Sequence, residues 1–343
     1  MYQDYFGLQM APFRITPDAA LFFPGGARGA VLEALCYAIE NGEGIVKVVG
    51  EVGSGKTMLC RMLETRLPPR IEIVYLANPS LPPEQVLHAI AFEMKLPVAA
   101  GTPRVEVLQK IQEALLEKHA AGRQVVVFVE EAQAMPLATL EEIRLLSNLE
   151  TSRHKLLQMV LFGQPELDVN LSAPGIRQLK ERITQHFHLA PFKPGDIRAY
   201  LMHRLRTAGY KGPDVFGQGA LRLLASASQG LVRRINILAD KALLAAYAEN
   251  THLVRPRHML AAIQDSAFSE GRAARSWGAH PALWATAGVL SFALAGLFAV
   301  DLWRHGAGPA NASAAAQQTA AAAGAAALTI RNPSLSLTPR GRP

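Results

Sequence analysis

The stretch GEVGSGKT, residues 50–57, constrains the fold of this chain more than any other part of its sequence. A run of β-branched residues, 45–49, leads into it, and a helical pattern, 58–67, follows it. A strand, a glycine-rich loop and a helix in this order are the context in which a GxxxxGKT pattern forms a phosphate-binding loop. The pattern therefore predicts an α/β fold with a nucleoside triphosphate site.

The residues of this loop supply the contacts that a triphosphate needs. Main-chain N–H groups in a glycine-rich loop can surround a phosphate, and the N-terminus of the following helix adds partial positive charge. We expect Lys56 to reach the β- and γ-phosphates and the Thr57 hydroxyl to hold Mg²⁺. The sequence thus predicts ATP as the ligand and Mg²⁺ as the cofactor. The predicted nucleotide-contacting residues are Gly50, Glu51, Val52, Gly53, Ser54, Gly55, Lys56, Thr57 and Met58.

Two adjacent carboxylates, Glu130 and Glu131, follow the apolar run of residues 125–129. Charges are rarely buried without a partner, so acids at the end of a strand indicate solvent or a cation there. In P-loop folds a second strand ends beside the phosphate loop, and its acid holds Mg²⁺. We assign that role to Glu130, and the polarisation of the attacking water to Glu131. The usual first acid is Asp, so the longer Glu130 predicts a displaced metal contact or slow hydrolysis, and both remain open.

Short β-branched runs alternate with longer helical patterns through the first two thirds of the chain, which indicates a parallel sheet wrapped by helices. The predicted strands are residues 45–49, 71–76, 125–129, 156–162 and 186–189. The predicted helices include residues 104–121 and 137–149, and then 196–208, 219–228, 233–249 and 256–267 without further strands. This pattern predicts a P-loop core with a five-stranded parallel sheet over residues 1–193 and a helical lid over residues 194–270.

An uncharged apolar run, residues 282–300, follows the predicted lid. As a helix it would span roughly 28 Å, which is close to the hydrocarbon thickness of a bilayer. Trp284 and Trp303 lie at its ends, where aromatic rings favour the membrane interface, and Arg272 and Arg275 precede it, which places its N-terminal side in the cytoplasm. The sequence therefore predicts a linker (271–281), one transmembrane helix (282–303) in the bilayer and an extracytoplasmic, low-complexity, Ala-rich tail (304–343).

Composition argues against some other classes of protein. The formal net charge is +7, of which +3 falls after residue 280, so the part before it carries only a modest basic excess. A clustered basic face would indicate a nucleic-acid partner, and this dilute charge gives no such support. The two cysteines, Cys36 and Cys60, lie in apolar helical patterns and are predicted to be small buried residues in a reducing compartment.

Six separated segments resemble one protein family. They read YFGLQMAPFRITPDAALFF, GEVGSGKT, FVEEAQAM, LLSNLETSRHKLLQMVLFGQPELD, IRQLKERIT and GLVRRINILADKALLAAY. In this order, over about residues 1–268, they resemble the ExeA/GspA-type AAA+ ATPases. Within that group they look most like the ATPases of mannose-sensitive haemagglutinin (MSHA) type IV pilus biogenesis.

This resemblance implies an AAA+ core with a helical lid, and an ATP-driven role in assembling a pilus or secretion apparatus at the bacterial inner membrane. It implies that Gln164 is the polar sensor of the γ-phosphate and Arg233 the lid arginine that reports nucleotide state. Arg182, with Arg177 as the competitor, is then the finger that reaches the ATP of a neighbouring subunit. Such a finger requires assembly, so we expect a homo-oligomer, with a hexamer favoured. Ordinary solvated helix charges are the alternative for all three arginines.

The family comparison also leaves questions open. GspA relatives carry a periplasmic peptidoglycan-binding domain after their membrane span, whereas an Ala-rich tail is expected here, so peptidoglycan binding is not carried over. Phe6, Pro12 and Phe13 either cover the adenine or staple the core. Two other functions compete with envelope assembly: a DNA-binding AAA+ ATPase of the transposition or initiation type, and an ATP-dependent switch that hydrolyses poorly because of Glu130.

Overall fold

A parallel sheet of five strands forms the centre of this computed structural model, which describes residues 2–99 and 101–266. The strands are β1 (Ile45–Gly50), β2 (Ile71–Leu76), β3 (Gln124–Val129), β4 (Leu157–Gly163) and β5 (Ile183–Leu189). They lie in the order β2-β3-β4-β1-β5, and every neighbouring pair is parallel. The five-stranded parallel sheet predicted from the sequence is therefore confirmed.

Helices cover both faces of the sheet and continue into the lid. The short helix α1 (Tyr2–Tyr5) precedes the core, in which the helices are α2 (Arg28–Glu40), α3 (Lys56–Arg66), α4 (Pro83–Glu93), α5 (Arg104–Ala120), α6 (Leu137–Leu146), α7 (Glu166–Leu171) and α8 (Arg177–Arg182). The lid helices are α9 (Pro194–Thr207), α10 (Gln218–Ser228), α11 (Val232–Ala248) and α12 (Pro256–Gln264). For the helices whose bounds were predicted, α3, α5, α6 and α9 to α12, the observed bounds lie within three residues of the predicted ones.

The strand patterns reflect how far each strand is covered. All six residues of β1 are buried, as expected for a parallel strand with helices on both faces. Strand β5 pairs with β1 alone among the described strands, and Thr184, Gln185 and His186 on it are exposed. An edge strand with polar exposed positions lacks a continuous apolar run. For this reason the start of β5 was predicted at residue 186, three residues later than its observed start at Ile183.

Strand register brings the functional segments to one edge of the sheet. Val49 in β1 lies level with Gly163 in β4, and Leu161 in β4 lies level with Val129 in β3. Because parallel strands all point the same way, the residues that follow these strands emerge side by side. The phosphate loop, the acids after β3 and Gln164 after β4 consequently meet at this edge.

The N-terminal segment packs against the lid helices. Phe6 and Phe13 are each only 3% exposed and belong to the same apolar cluster as residues of α9, α10, α11 and α12. The carbonyl oxygen of Pro12 accepts a hydrogen bond from the buried Arg204 side chain of α9 over 2.6 Å. Of the two interpretations of these residues, the structure favours hydrophobic packing over adenine contact. The packing is against the lid helices and not across the core.

Other predictions fall on residues that the structure does not describe. The last residues of the predicted lid, the linker, the transmembrane helix (282–303) and the tail all lie outside the described residues. Among residues 2–99 and 101–266, no helix is long and apolar enough to cross a membrane.

Candidate functional site

The loop between β1 and α3 presents a concave set of free main-chain donors. Gly53 and Gly55 have φ angles of +78° and +103°, which L side chains rarely adopt. A Cβ atom at Gly50 would lie 2.6 Å from the Ser54 hydroxyl oxygen, so this position also requires glycine. Within residues 2–99 and 101–266, several N–H groups of this segment have no hydrogen-bond acceptor, among them those of Gly53, Gly55, Lys56, Thr57 and Met58. Consecutive unpaired amides of this kind form an anion site.

Lys56 is a buried cation without a carboxylate partner in the described residues. Its ammonium donates to the carbonyl oxygens of Gly50 (2.8 Å) and Glu51 (3.2 Å). Burial lowers the pKa of Lys56, although the nearby carboxylates, Glu131 first among them, act in the opposite direction. A buried ammonium is costly unless an anion compensates it. The loop and its lysine therefore fit the phosphates of a nucleotide.

A cavity of about 310 Å³ opens beside this loop, between the N-terminal segment and the lid. Its size is at the lower end of the range for small-molecule sites. Of the residues predicted to bind nucleotide, those lining the cavity are Val52, Gly53, Gly55, Lys56, Thr57, Met58 and Arg233. Gly50, Glu51 and Ser54 belong to the same loop but lie outside its lining.

Much of the cavity wall was not predicted from the sequence. The segment from Arg14 to Phe23 supplies one apolar side, and Phe192, Tyr200 and Asn236 supply the lid side. The Tyr200 hydroxyl donates to the Asn236 side-chain oxygen over 2.6 Å, which ties α9 to α11 behind the cavity. Phe6 and Phe13, which were considered for covering the adenine, do not line this cavity, whereas residues that follow them do. The only sequence signal was the short run RITPDAALFF inside the first family segment.

Glu131 is held at the cavity by two amide side chains. It lines the cavity and has the left-handed backbone conformation, with φ at 51°. Its carboxylate accepts hydrogen bonds from Gln133 (2.6 Å) and Gln164 (2.8 Å). Burial acts to raise the pKa of Glu131, but these two hydrogen bonds and the charge of Lys56 outweigh it, so the pKa lies below its ordinary value. The carboxylate is therefore ionised at neutral pH and able to accept a proton.

Gln133 was missed in the sequence although it lies in the same stretch as the two acids. Besides its bond to Glu131, its side-chain oxygen accepts the main-chain N–H of Gln164 over 2.9 Å. Asn170 of α7 in turn donates to the Gln133 carbonyl oxygen over 3.0 Å. Gln133 thus joins the end of β3 to the end of β4 and fixes Glu131 relative to Gln164.

Glu130 differs from its neighbour in both position and contacts. It does not line the cavity, and within the described residues it forms no hydrogen bond or ion pair. It is nevertheless close enough to Lys56 and Cys60 to affect their pKa values electrostatically. Carboxylate and hydroxyl oxygens are the ligands that Mg²⁺ prefers. An uncommitted carboxylate that acts electrostatically on Lys56, the residue before Thr57, therefore fits the predicted metal site.

The three predicted arginines occupy different places. Arg233 lines the cavity from the first turn of α11. Arg182 and Arg177 lie on α8 and do not line it. The Arg177 side chain is 82% exposed and pairs with Glu181, whereas half-buried Arg182 donates to the Ser147 hydroxyl over 3.3 Å. Of the three arginines, only Arg233 therefore lies at the cavity beside the phosphate loop.

Arg28 is a further residue of the site that the sequence did not indicate. It is 6% exposed at the start of α2 and lines the cavity. Burial lowers its pKa to about 10, so the guanidinium remains charged at neutral pH. Its contacts are with main-chain carbonyl groups rather than carboxylates. A lone arginine ahead of the glycine-rich loop gave no pattern that could identify it.

Sequence comparison finds relatives of the described part of the chain. The sequence model of the AAA domain family matches residues 39–171. The general secretion pathway protein A of Aeromonas hydrophila is 42% identical to this chain over 254 residues. That match covers 74% of this chain and 46% of the relative, so the chain spans about half the length of the curated relative.

Solved structures share the fold at low sequence identity. The ORC2 protein of Aeropyrum pernix, in its ADPNP and ADP complexes, has a TM-score of 0.53 and 16% identity, with 75% of this chain and 72% of that chain covered. The CDC6P protein of Pyrobaculum aerophilum has a TM-score of 0.53 and 17% identity, with coverage of 70% and 69%. At such identities these similarities show the fold alone.

Proposed function

This chain belongs to the ExeA/GspA-type AAA ATPases over the 254 residues that match, and from this premise we propose that it binds ATP with Mg²⁺ and hydrolyses it. The observation that carries the proposal is the combination of the free N–H groups of the loop with a buried Lys56 that has no carboxylate partner in the described residues. A polyanion satisfies both at once. Glu131, ionised and held at the same cavity, supplies the proton acceptor that hydrolysis needs.

Each residue of the site has a distinct role in this proposal. Lys56 leaves the carbonyl oxygens of the loop to meet the phosphates, and Glu131 accepts a proton from the attacking water. Gln164 donates to the Glu131 carboxylate, and we propose that it senses the γ-phosphate in concert with Glu131. Thr57 and Glu130 would hold Mg²⁺, which when bound neutralises charge on the phosphates.

We also propose that hydrolysis requires a homo-oligomer. Arg182 and Arg177 do not line the cavity, and their side chains are engaged with Ser147 and Glu181 respectively. An arginine supplied by a neighbouring subunit accelerates related P-loop enzymes by orders of magnitude. We propose that Arg182 acts in this way across a subunit interface, with a hexamer as the favoured assembly.

The proposed cellular role is ATP-driven assembly of envelope machinery of the secretion type. Its support is the 42% identity to a general secretion pathway protein, and a pilus system remains an expectation from sequence resemblance.

We propose that residues 282–303 anchor the chain in the bacterial inner membrane with the ATPase in the cytoplasm and the tail in the periplasm. A reporter enzyme fused after Arg304 is then expected to be active only outside the cytoplasm. Cytoplasmic activity of that reporter would contradict the orientation.

The test of the ATPase is turnover by the full-length chain with and without Mg²⁺. Lys56→Ala is expected to lose nucleotide binding, whereas Glu131→Gln is expected to keep binding and lose roughly 10²- to 10⁴-fold in turnover. Glu113→Gln on the exposed face of α5 is the matched control and should behave as wild type. Wild-type protein that binds ATP but turns over no faster than Glu131→Gln would be a nucleotide switch. Wild-type protein that binds no nucleotide would contradict the whole proposal.

A further inference from the structure

Arg28 is a buried cation of the site that the proposed function leaves without a role. Its guanidinium donates to the carbonyl oxygens of Ser54 (3.0 Å), Gly26 (3.3 Å) and Ala190 (3.4 Å). It also lies over the ring of Phe192, 3.7 Å from the ring centroid. Within the described residues it forms no ion pair. A guanidinium placed among carbonyl groups and an aromatic face is fixed in position rather than free to follow a ligand.

The contact with Ser54 bears directly on the phosphate loop. The carbonyl oxygen of Ser54 and the N–H of Gly55 belong to one peptide group, and in a trans peptide they point in opposite directions. Within the described residues, the Gly55 N–H is one of the loop donors without an acceptor. Holding the oxygen on the side of Arg28 therefore fixes the direction of a free N–H donor.

This peptide group needs such a restraint because Gly55 follows it. Gly55 has φ at +103°, and a Cβ atom there would meet nothing within 4 Å. Glycine accepts positive and negative φ almost equally, so rotation of the peptide between residues 54 and 55 is cheap on the glycine side. A charge-assisted hydrogen bond to the oxygen opposes that rotation and polarises the N–H on the other side.

We propose that Arg28 is a positioning residue for the phosphate loop: by holding the Ser54 carbonyl oxygen, it keeps the Gly55 N–H directed at the phosphates of the nucleotide. This role rests on the proposed nucleotide binding and specifies how the loop is prepared for it. Arg28 lies outside the matched AAA domain, which begins at residue 39.

The same guanidinium connects the loop to the junction of core and lid. The main-chain N–H of Phe192, on which Arg28 stacks, donates to the Gly230 carbonyl oxygen in the turn between α10 and α11 over 2.9 Å. A Cβ atom at Gly26 would lie 2.5 Å from the Phe192 ring, so glycine is needed for this close approach. The ring on which Arg28 stacks is therefore held by contacts with Gly26 before α2 and with Gly230 in the lid, and this fixes the position from which Arg28 holds the loop.

The experiment compares ATP and AMP, because the proposed role concerns the phosphates and not the base. Dissociation constants of both nucleotides are measured by calorimetry for full-length wild type, Arg28→Met and Arg28→Lys. Arg204→Met is the matched control: Arg204 is also buried, lines the same cavity and donates to carbonyl oxygens, but those of Pro12 and Arg14. If Arg28→Met fails to fold, Arg28→Lys, which keeps the charge, carries the test.

The expected result is a loss that depends on the phosphates. Arg28→Met should weaken ATP binding by about ten- to a hundred-fold and AMP binding by less than about three-fold, with Arg28→Lys between it and wild type. Arg204→Met should weaken both nucleotides by the same factor. Equal losses of ATP and AMP affinity in the Arg28 variants, or no loss, would overturn the positioning role while leaving the proposed function intact. Wild-type protein that binds neither nucleotide would overturn both.

Discussion

The main-chain N–H of Arg233 donates a hydrogen bond to the carbonyl oxygen of Gly53 over 3.1 Å. This bond joins the first turn of lid helix α11 to the phosphate loop of the core. A Cβ atom at Gly53 would lie 2.8 Å from the Arg233 Cβ atom. The lid reaches the loop this closely only because residue 53 is glycine, so a displacement of the loop acts directly on the lid.

We predict that Gly53→Ala weakens ATP binding and destabilises the fold. The φ of +78° strains any L side chain by about 1 to 2 kcal/mol, and the new methyl group also pushes α11 away from the loop. The matched control is Gly122→Ala, where φ is +70° but nothing lies within 4 Å of the added Cβ atom. Denaturant unfolding should show a cost for both variants, and ATP binding a loss for Gly53→Ala alone. Unchanged ATP affinity in Gly53→Ala would contradict the role of this contact.

A second prediction concerns the pH dependence of hydrolysis. Hydrogen bonds from Gln164 and Gln133, with the charge of Lys56, hold the pKa of Glu131 low against the effect of burial. Gln133→Ala removes one donor, so the pKa rises and the carboxylate takes up its proton at a higher pH. The acidic limb of the pH profile of kcat/KM should therefore shift to higher pH. Gln109→Ala removes a similar bond to Glu113 on the exposed face of α5 and should leave the limb in place. An unshifted limb in Gln133→Ala would show that Gln133 does not tune Glu131.

Local patterns were sufficient to predict the sheet and the phosphate loop. Covered parallel strands such as β1 are continuous apolar runs, and the loop residues are adjacent in the chain. Contacts between distant segments gave no such signal. Arg28 meets Ser54 across 26 residues, and Lys47 meets Asp168 across 121. Whether a charged residue is solvated or buried at a site depends on the completed fold, which explains why both were missed.

The ion pair between Lys47 and Asp168 gives a third prediction. Lys47 lies in the middle of β1 with its side chain only 6% exposed, and Asp168 lies on α7, just after Gln164. Removing the acid leaves a buried charge unpaired, whereas replacing both partners does not. We expect Asp168→Ala to lower the free energy of unfolding by about 1 to 3 kcal/mol.

Denaturant unfolding of two further variants tests the origin of that cost. Lys47→Met should lie within about 1 kcal/mol of wild type, and Lys47→Met with Asp168→Ala should be more stable than Asp168→Ala alone. Glu106→Ala, which breaks a surface pair with Lys110, is the control and should cost less than about 0.5 kcal/mol. A double variant as unstable as Asp168→Ala would mean that the acid acts through contacts other than Lys47.

The last prediction separates the two candidate fingers on α8. If Arg182 acts on the nucleotide of a neighbouring subunit, the ATPase rate per subunit should rise with protein concentration, and Arg182→Ala should abolish that rise while ATP binding remains. Arg177→Ala removes only an exposed charge paired with Glu181 and should keep most of the concentration dependence. The measurement is the specific rate over a dilution series of full-length protein, with mass determined by light scattering at each point. A rate that stays flat on dilution of an intact oligomer to monomers would contradict action between subunits. Loss of the rise in Arg177→Ala and not in Arg182→Ala would assign the finger to Arg177 instead.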